Sequence, residues 1–91
     1  MPSMYVLDVE EFSCVVEAAK ANPDYTVTDL GKGYIHIESP TELAFNRKAM
    51  KMKPALWYGI FTAGMDGQIA EFGREWVRLV NADVKLSSGD D

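Results

Sequence analysis

The chain has 91 residues, enough for one domain with its own core and too few for two. With 47% hydrophobic and 25% charged residues its composition is globular, not disordered, and 14 acidic against 9 basic residues leave a net charge of −5, which repels a polyanion at long range. One cysteine and one histidine exclude an internal disulfide and a zinc site of the usual nitrogen and sulfur kind, and no cofactor motif is evident.

The sequence has neither the pattern of a cleaved leader nor an apolar run of bilayer length, so a cytoplasmic protein is expected. Residues 1–85 are expected to form a single α+β domain, and residues 86–91 a frayed acidic tail.

In chain order, Met4 to Leu7 is a short apolar run that predicts a strand. Asp8 and Glu11 then have the spacing of a helix capping box. From Val9 onward, Val9, Phe12, Val15, Val16 and Ala19 fall on one arc of a helix and Glu10, Ser13, Glu17 and Lys20 on another. Asn22-Pro23-Asp24 stops that helix, because the residue before proline is pushed out of the helical region.

Tyr25 to Leu30 and Tyr34 to Glu38 flank Gly31-Lys32-Gly33 and predict a hairpin. A three-residue loop with Gly33 left-handed puts Tyr25, Val27, Ile35 and Ile37 on one face. Thr26, Thr28, Tyr34, His36 and Glu38 then share the wetter face.

Ser39-Pro40-Thr41-Glu42 carries the cap, first-turn proline and returning glutamate of a helix start, predicting a helix from Pro40 to Met52. Arg47, Lys48 and Lys51 would form a basic stripe along it. Residues 55–80 predict three antiparallel strands, turning at Asp66-Gly67 and at Arg74-Glu75. Those turns set Phe61 opposite Phe72, Ala63 opposite Ala70, Phe72 opposite Val77, Ala70 opposite Leu79 and Glu71 opposite Arg78. The competing assignment is a helix over residues 54–62, with proline at its first turn and Gly64 beyond its end. The expected fold is a mainly antiparallel sheet with two helices, in the order βαββαβ plus a C-terminal β-hairpin. This is the order of a ferredoxin-like split βαβ unit.

The candidate chemistry is sparse. His36 is the obvious acid or base, but Glu38, on the same strand face, lies about 7 Å away by strand rise. Tyr34, His36 and Glu38 remain a possible ligand or catalytic face. Cys14 stands between Glu10 and Glu17 on its helix, whereas reactive cysteines sit in positive surroundings. Gly31-Lys32-Gly33 lies between strands and fits a hairpin turn, not a phosphate loop. Asp66, Glu42 and Glu71 each have a structural task as turn, cap or charge pair, and no converging set of metal ligands is evident.

What remains is the window between Glu42 and Asp66, which has no carboxylate and contains Arg47, Lys48, Lys51 and Lys53, followed by Trp57, Tyr58 and Phe61. The expected function is a non-catalytic interaction or regulatory module. It would be a homodimer, or dock an acidic partner protein, through the basic stripe with Trp57 and Tyr58 beside it. Nucleic-acid binding through residues 45–61, and a small-ligand binder or enzyme at Tyr34, His36 and Glu38, are the alternatives.

Overall fold

Alternating apolar residues build the first of two antiparallel sheets in the computed structural model, which describes residues 1–82. Strand β1 (Ser3–Leu7) buries Met4 and Val6, and β3 (Tyr34–Glu38) buries Ile35 and Ile37. β2 (Thr26–Asp29) pairs with β3 in the expected register, Val27 facing Ile37 and Thr28 facing His36. Gly31 and Gly33, at φ 75° and 84°, make the turn, and the Asp29 carboxylate accepts the Gly31 N–H at 2.8 Å. Left-handed backbone is easiest for glycine, which explains the fixed three-residue loop.

Helix α1 (Ser13–Lys20) covers the inner face of this sheet with Val15, Val16 and Ala19. It starts later than the sequence predicts: Glu10–Phe12 is a 3₁₀ turn without a side-chain cap, and the Asp8 N–H is bonded to Gly33 O instead. The hairpin claims Asp8 for the end of β1, so the expected capping box does not form.

The helix predicted from Pro40 to Met52 is largely replaced by a strand, β4 (Glu42–Asn46). In a helix Leu43 and Phe45 would lie about 200° apart, on opposite sides. In a strand both point inward, and here they are 0% and 3% exposed, paired with Leu79 and Val77. Burial of two large side chains outweighs a local capping signal worth about 1 kcal/mol. Ser39 is buried, and its Oγ accepts the Thr41 N–H in a local turn. A short helix, α2 (Arg47–Met50), is capped by Asn46, whose Oδ1 accepts the Ala49 N–H at 2.8 Å. Lys51, left-handed at φ 58°, ends it.

The competing helical assignment for residues 54–62 is the closer one. α3 (Pro54–Trp57) has proline in its first turn, and Trp57 and Ile60, three residues apart, are 0% and 1% exposed. Helical spacing buries both together, so the strand expected from Ala55 does not form. Asp66-Gly67 makes no hairpin either. β5 (Met65–Asp66) joins the edge of the first sheet beside β1, and Gly67 passes the chain to the second.

That second sheet runs β4-β7-β6, with β6 (Gln68–Phe72) and β7 (Trp76–Val80). Glu71 faces Arg78 and Phe72 faces Val77 as expected, but a bulge puts Ile69, not Ala70, opposite Leu79. The first sheet runs β2-β3-β1-β5. Trp57, Met4, Ile37, Leu43, Ile60 and Leu79 fill one core shared by the two sheets. The result is a small α+β domain of two antiparallel sheets with few helices, and β4 breaks the ferredoxin-like order. The tail at 86–91 and the last residues of the domain to 85 lie outside the described residues. Among the described residues no helix is long and apolar enough to cross a membrane.

Candidate interaction surfaces

The expected stripe of Arg47, Lys48 and Lys51 does not run along a helix from Pro40 to Met52, because only Arg47–Met50 is helical there, with Lys51 at its left-handed end and Lys53 beyond it. Arg47 is half-buried and works within the fold. Its Nε–H donates to Arg74 O at 2.7 Å, its Nη1 to Met52 O at 3.1 Å, and its backbone N–H to Glu75 O at 2.7 Å. It ties the start of α2 to the β6–β7 turn. Lys48 pairs with Glu75 at 3.4 Å, both well exposed, and such a pair contributes little. Lys51 and Lys53 are exposed, at the end of α2 and at the start of α3.

The aromatics divide in the same way. Trp57 is a core residue with 0% exposure, its indole N–H donating to Gly73 O at 2.7 Å, so it offers no surface for docking. Tyr58, the next residue, is 56% exposed and lies nearly parallel to Phe72, with ring centroids 5.9 Å apart and 12° between planes. Phe72 also meets Phe61 and Trp57 edge to face and is still 37% exposed. The sequence predicts Phe72 on the core face, opposite both Phe61 and Val77. Its exposure follows from β6 being an outer strand, which the alternation of the sequence does not reveal.

Tyr34, His36 and Glu38 do share the outer face of the first sheet. His36 is flanked across the strands by Thr28 and by Tyr5, whose ring centroid is 5.0 Å away. Tyr5 and Tyr34 are 37% and 41% exposed, so this face is open to solvent. It is an aromatic and threonine surface, and the two grooves beside α1 lie elsewhere.

One groove of about 390 Å³ runs between α1 and the β2–β3 hairpin. Val16, Val27 and Ile35 form its apolar part, with Asp8, Glu17, Asp29 and Lys20 around it. A second, of about 450 Å³, lies between Cys14 and Ala18 of α1 and Ala49 and Met50 of α2. On the outer face of the second sheet, Arg78 is bonded to Glu42 at 3.0 Å across β4, not to Glu71 as the pairing suggested. That hydrogen bond holds the guanidinium pKa above its ordinary value, and the Glu42 and Glu71 charges add to the effect.

The tyrosine at 25 has a role that the sequence did not disclose. The Ala44 N–H donates to its hydroxyl at 2.9 Å, and the hydroxyl reaches back to Ala44 O at 3.4 Å. The phenol thus closes the outer edge of β4, and its ring packs edge to face on Phe45. No protein-family model matches the chain, and no curated protein matches it significantly.

Proposed function

We propose that this domain is a non-catalytic protein-interaction module that self-associates through the aromatic surface where α3 meets β6. The observation that carries the proposal is the parallel pair of Tyr58 and Phe72, 56% and 37% exposed. Aromatic side chains offer large contact area at low entropic cost and are enriched in the centres of interfaces. A second copy fits the surroundings. Lys51, Lys53, Arg74 and Glu75 are near the pair along the chain, while Glu71 is turned to the opposite face of β6, towards Arg78. The chain as a whole carries −5, so copies repel unless they meet where charge is locally balanced. In the proposed two-fold contact the lysines of one copy would meet Glu75 of the other, as a polar rim around an aromatic centre. The proposal places the module in the cytoplasm, where its lone thiol Cys14 stays reduced.

Sedimentation velocity over a concentration series tests it. The wild type is expected to shift towards dimer as concentration rises, and Tyr58→Ser to weaken that shift about tenfold or more with an unchanged far-UV spectrum. A wild type that sediments as monomer throughout overturns the proposal.

A further inference from the structure

The two sheets have four outer strands among the described residues, β2 and β5 in one and β4 and β6 in the other. An outer strand offers unpaired backbone groups to any extended chain, and folded proteins blunt such edges. β5 is only 2 residues long. β4 is closed at Ala44 by the Tyr25 hydroxyl, and β6 carries the bulge between Ile69 and Glu71. β2 has none of these devices. Its residues Thr26-Val27-Thr28-Asp29 include no proline, lysine or bulge, and two threonines and a valine suit a strand.

The ladder phase shows which groups it offers. Leu30 N–H bonds to Tyr34 O, so Leu30 and, by alternation, Thr28 and Thr26 direct their backbone groups at β3. Val27 and Asp29 therefore direct theirs away from the sheet. The groove of about 390 Å³ opens beside these two residues, bounded across by α1. Three carboxylates, Asp8, Glu17 and Asp29, border it against one cation, Lys20. A second copy would bring the same carboxylates to this edge and is disfavoured. A lysine or arginine side chain can lay its aliphatic stem on Val16, Val27 and Ile35 and present its charge to the carboxylates.

We infer that β2 and the groove beside it bind an extended peptide segment carrying lysine or arginine at alternate positions. The peptide adds a strand to the first sheet, with backbone bonds to Val27 and Asp29 and every second side chain towards α1. This site is on the other sheet from the Tyr58 surface and does not depend on self-association.

The test is an amide-shift titration of the whole chain with the blocked hexapeptide Thr-Lys-Val-Lys-Val-Lys. Two controls are used: the same peptide with glutamate for each lysine, and one with proline for each valine. The expected result is shifts concentrated on Val27, Asp29, Glu17 and Lys20, none with the glutamate peptide, and binding about tenfold weaker or worse with the proline peptide, which keeps the charge but cannot pair. Glu17→Lys, at an exposed helix position, is expected to weaken the lysine peptide by about tenfold or more. The inference is overturned if the proline peptide binds as well as the parent, if the shifts fall elsewhere, if Glu17→Lys binds undiminished, or if millimolar lysine peptide shifts nothing.

Discussion

β4 and β2 are both outer strands, of 5 and 4 residues, yet one edge is closed and the other open. β4 is fixed from within by Leu43 and Phe45 and from without by a phenol. In β2 only Val27 is even half-buried, and its outward backbone groups meet no side chain of the fold among the described residues. A single tyrosine, reaching from just before β2 to β4, separates a strand that is finished from one that can accept another. The difference shows that edge protection here is a matter of individual side chains and not of sheet position.

The comparison can be broken most severely from the inside of β4. Leu43→Ala is expected to cost about 2–5 kcal/mol in denaturant unfolding, because it empties a fully buried site. If it cost no more than an exposed substitution, β4 would not be the anchored strand described above. Val27→Ala, at the half-buried position of β2, is expected to cost clearly less, about 1 kcal/mol.

Closure from outside is tested by Tyr25→Phe, which keeps the ring against Phe45 and removes the hydroxyl from Ala44. A loss of about 1 kcal/mol is expected, for one backbone donor and one acceptor left at the edge. A variant as stable as the wild type would reduce the plug to a packing contact. The smallest effect is in the unsubstituted protein. Native-state hydrogen exchange should find the Ala44 amide protected and those of Val27 and Asp29 among the fastest in their sheet. Equal protection of the three amides would erase the distinction between the edges.

The hairpin from Thr26 to Glu38 was legible because everything that decides it is local: two glycines able to turn left-handed, Asp29 to brace them, and alternation on both sides. β4 was not legible for the opposite reason. Ser39-Pro40-Thr41-Glu42 is a sound local helix signal, and what defeats it is burial of Leu43 against Leu79, 36 residues away along the chain. The same distance effect hid the surfaces. Tyr58 reads as an exposed aromatic, but Trp57 beside it is in the core, where Gly73 O, from a distant turn, satisfies its indole N–H. Arg47 reads as part of a surface stripe, but its acceptors are Arg74 O, in the β6–β7 turn, and Met52 O, beyond α2. The tasks of Tyr25 and the openness of β2 depend on which strands end up outermost, and periodicity does not encode that.

Gly67 stands alone between Asp66 in one sheet and Gln68 in the other, at φ 128°. A Cβ there would lie 2.5 Å from Val80 O, so the crossing has no room for a larger residue. Mechanically, this joins the sheets with almost no slack. One residue spans about 3.5 Å when extended, so shearing the sheets apart by more than that must strip either β5 from β1 or β6 from β7. Separation of the sheets at this crossing is therefore expected to begin at β5, which is held to β1 through Asp66 and Met65 alone.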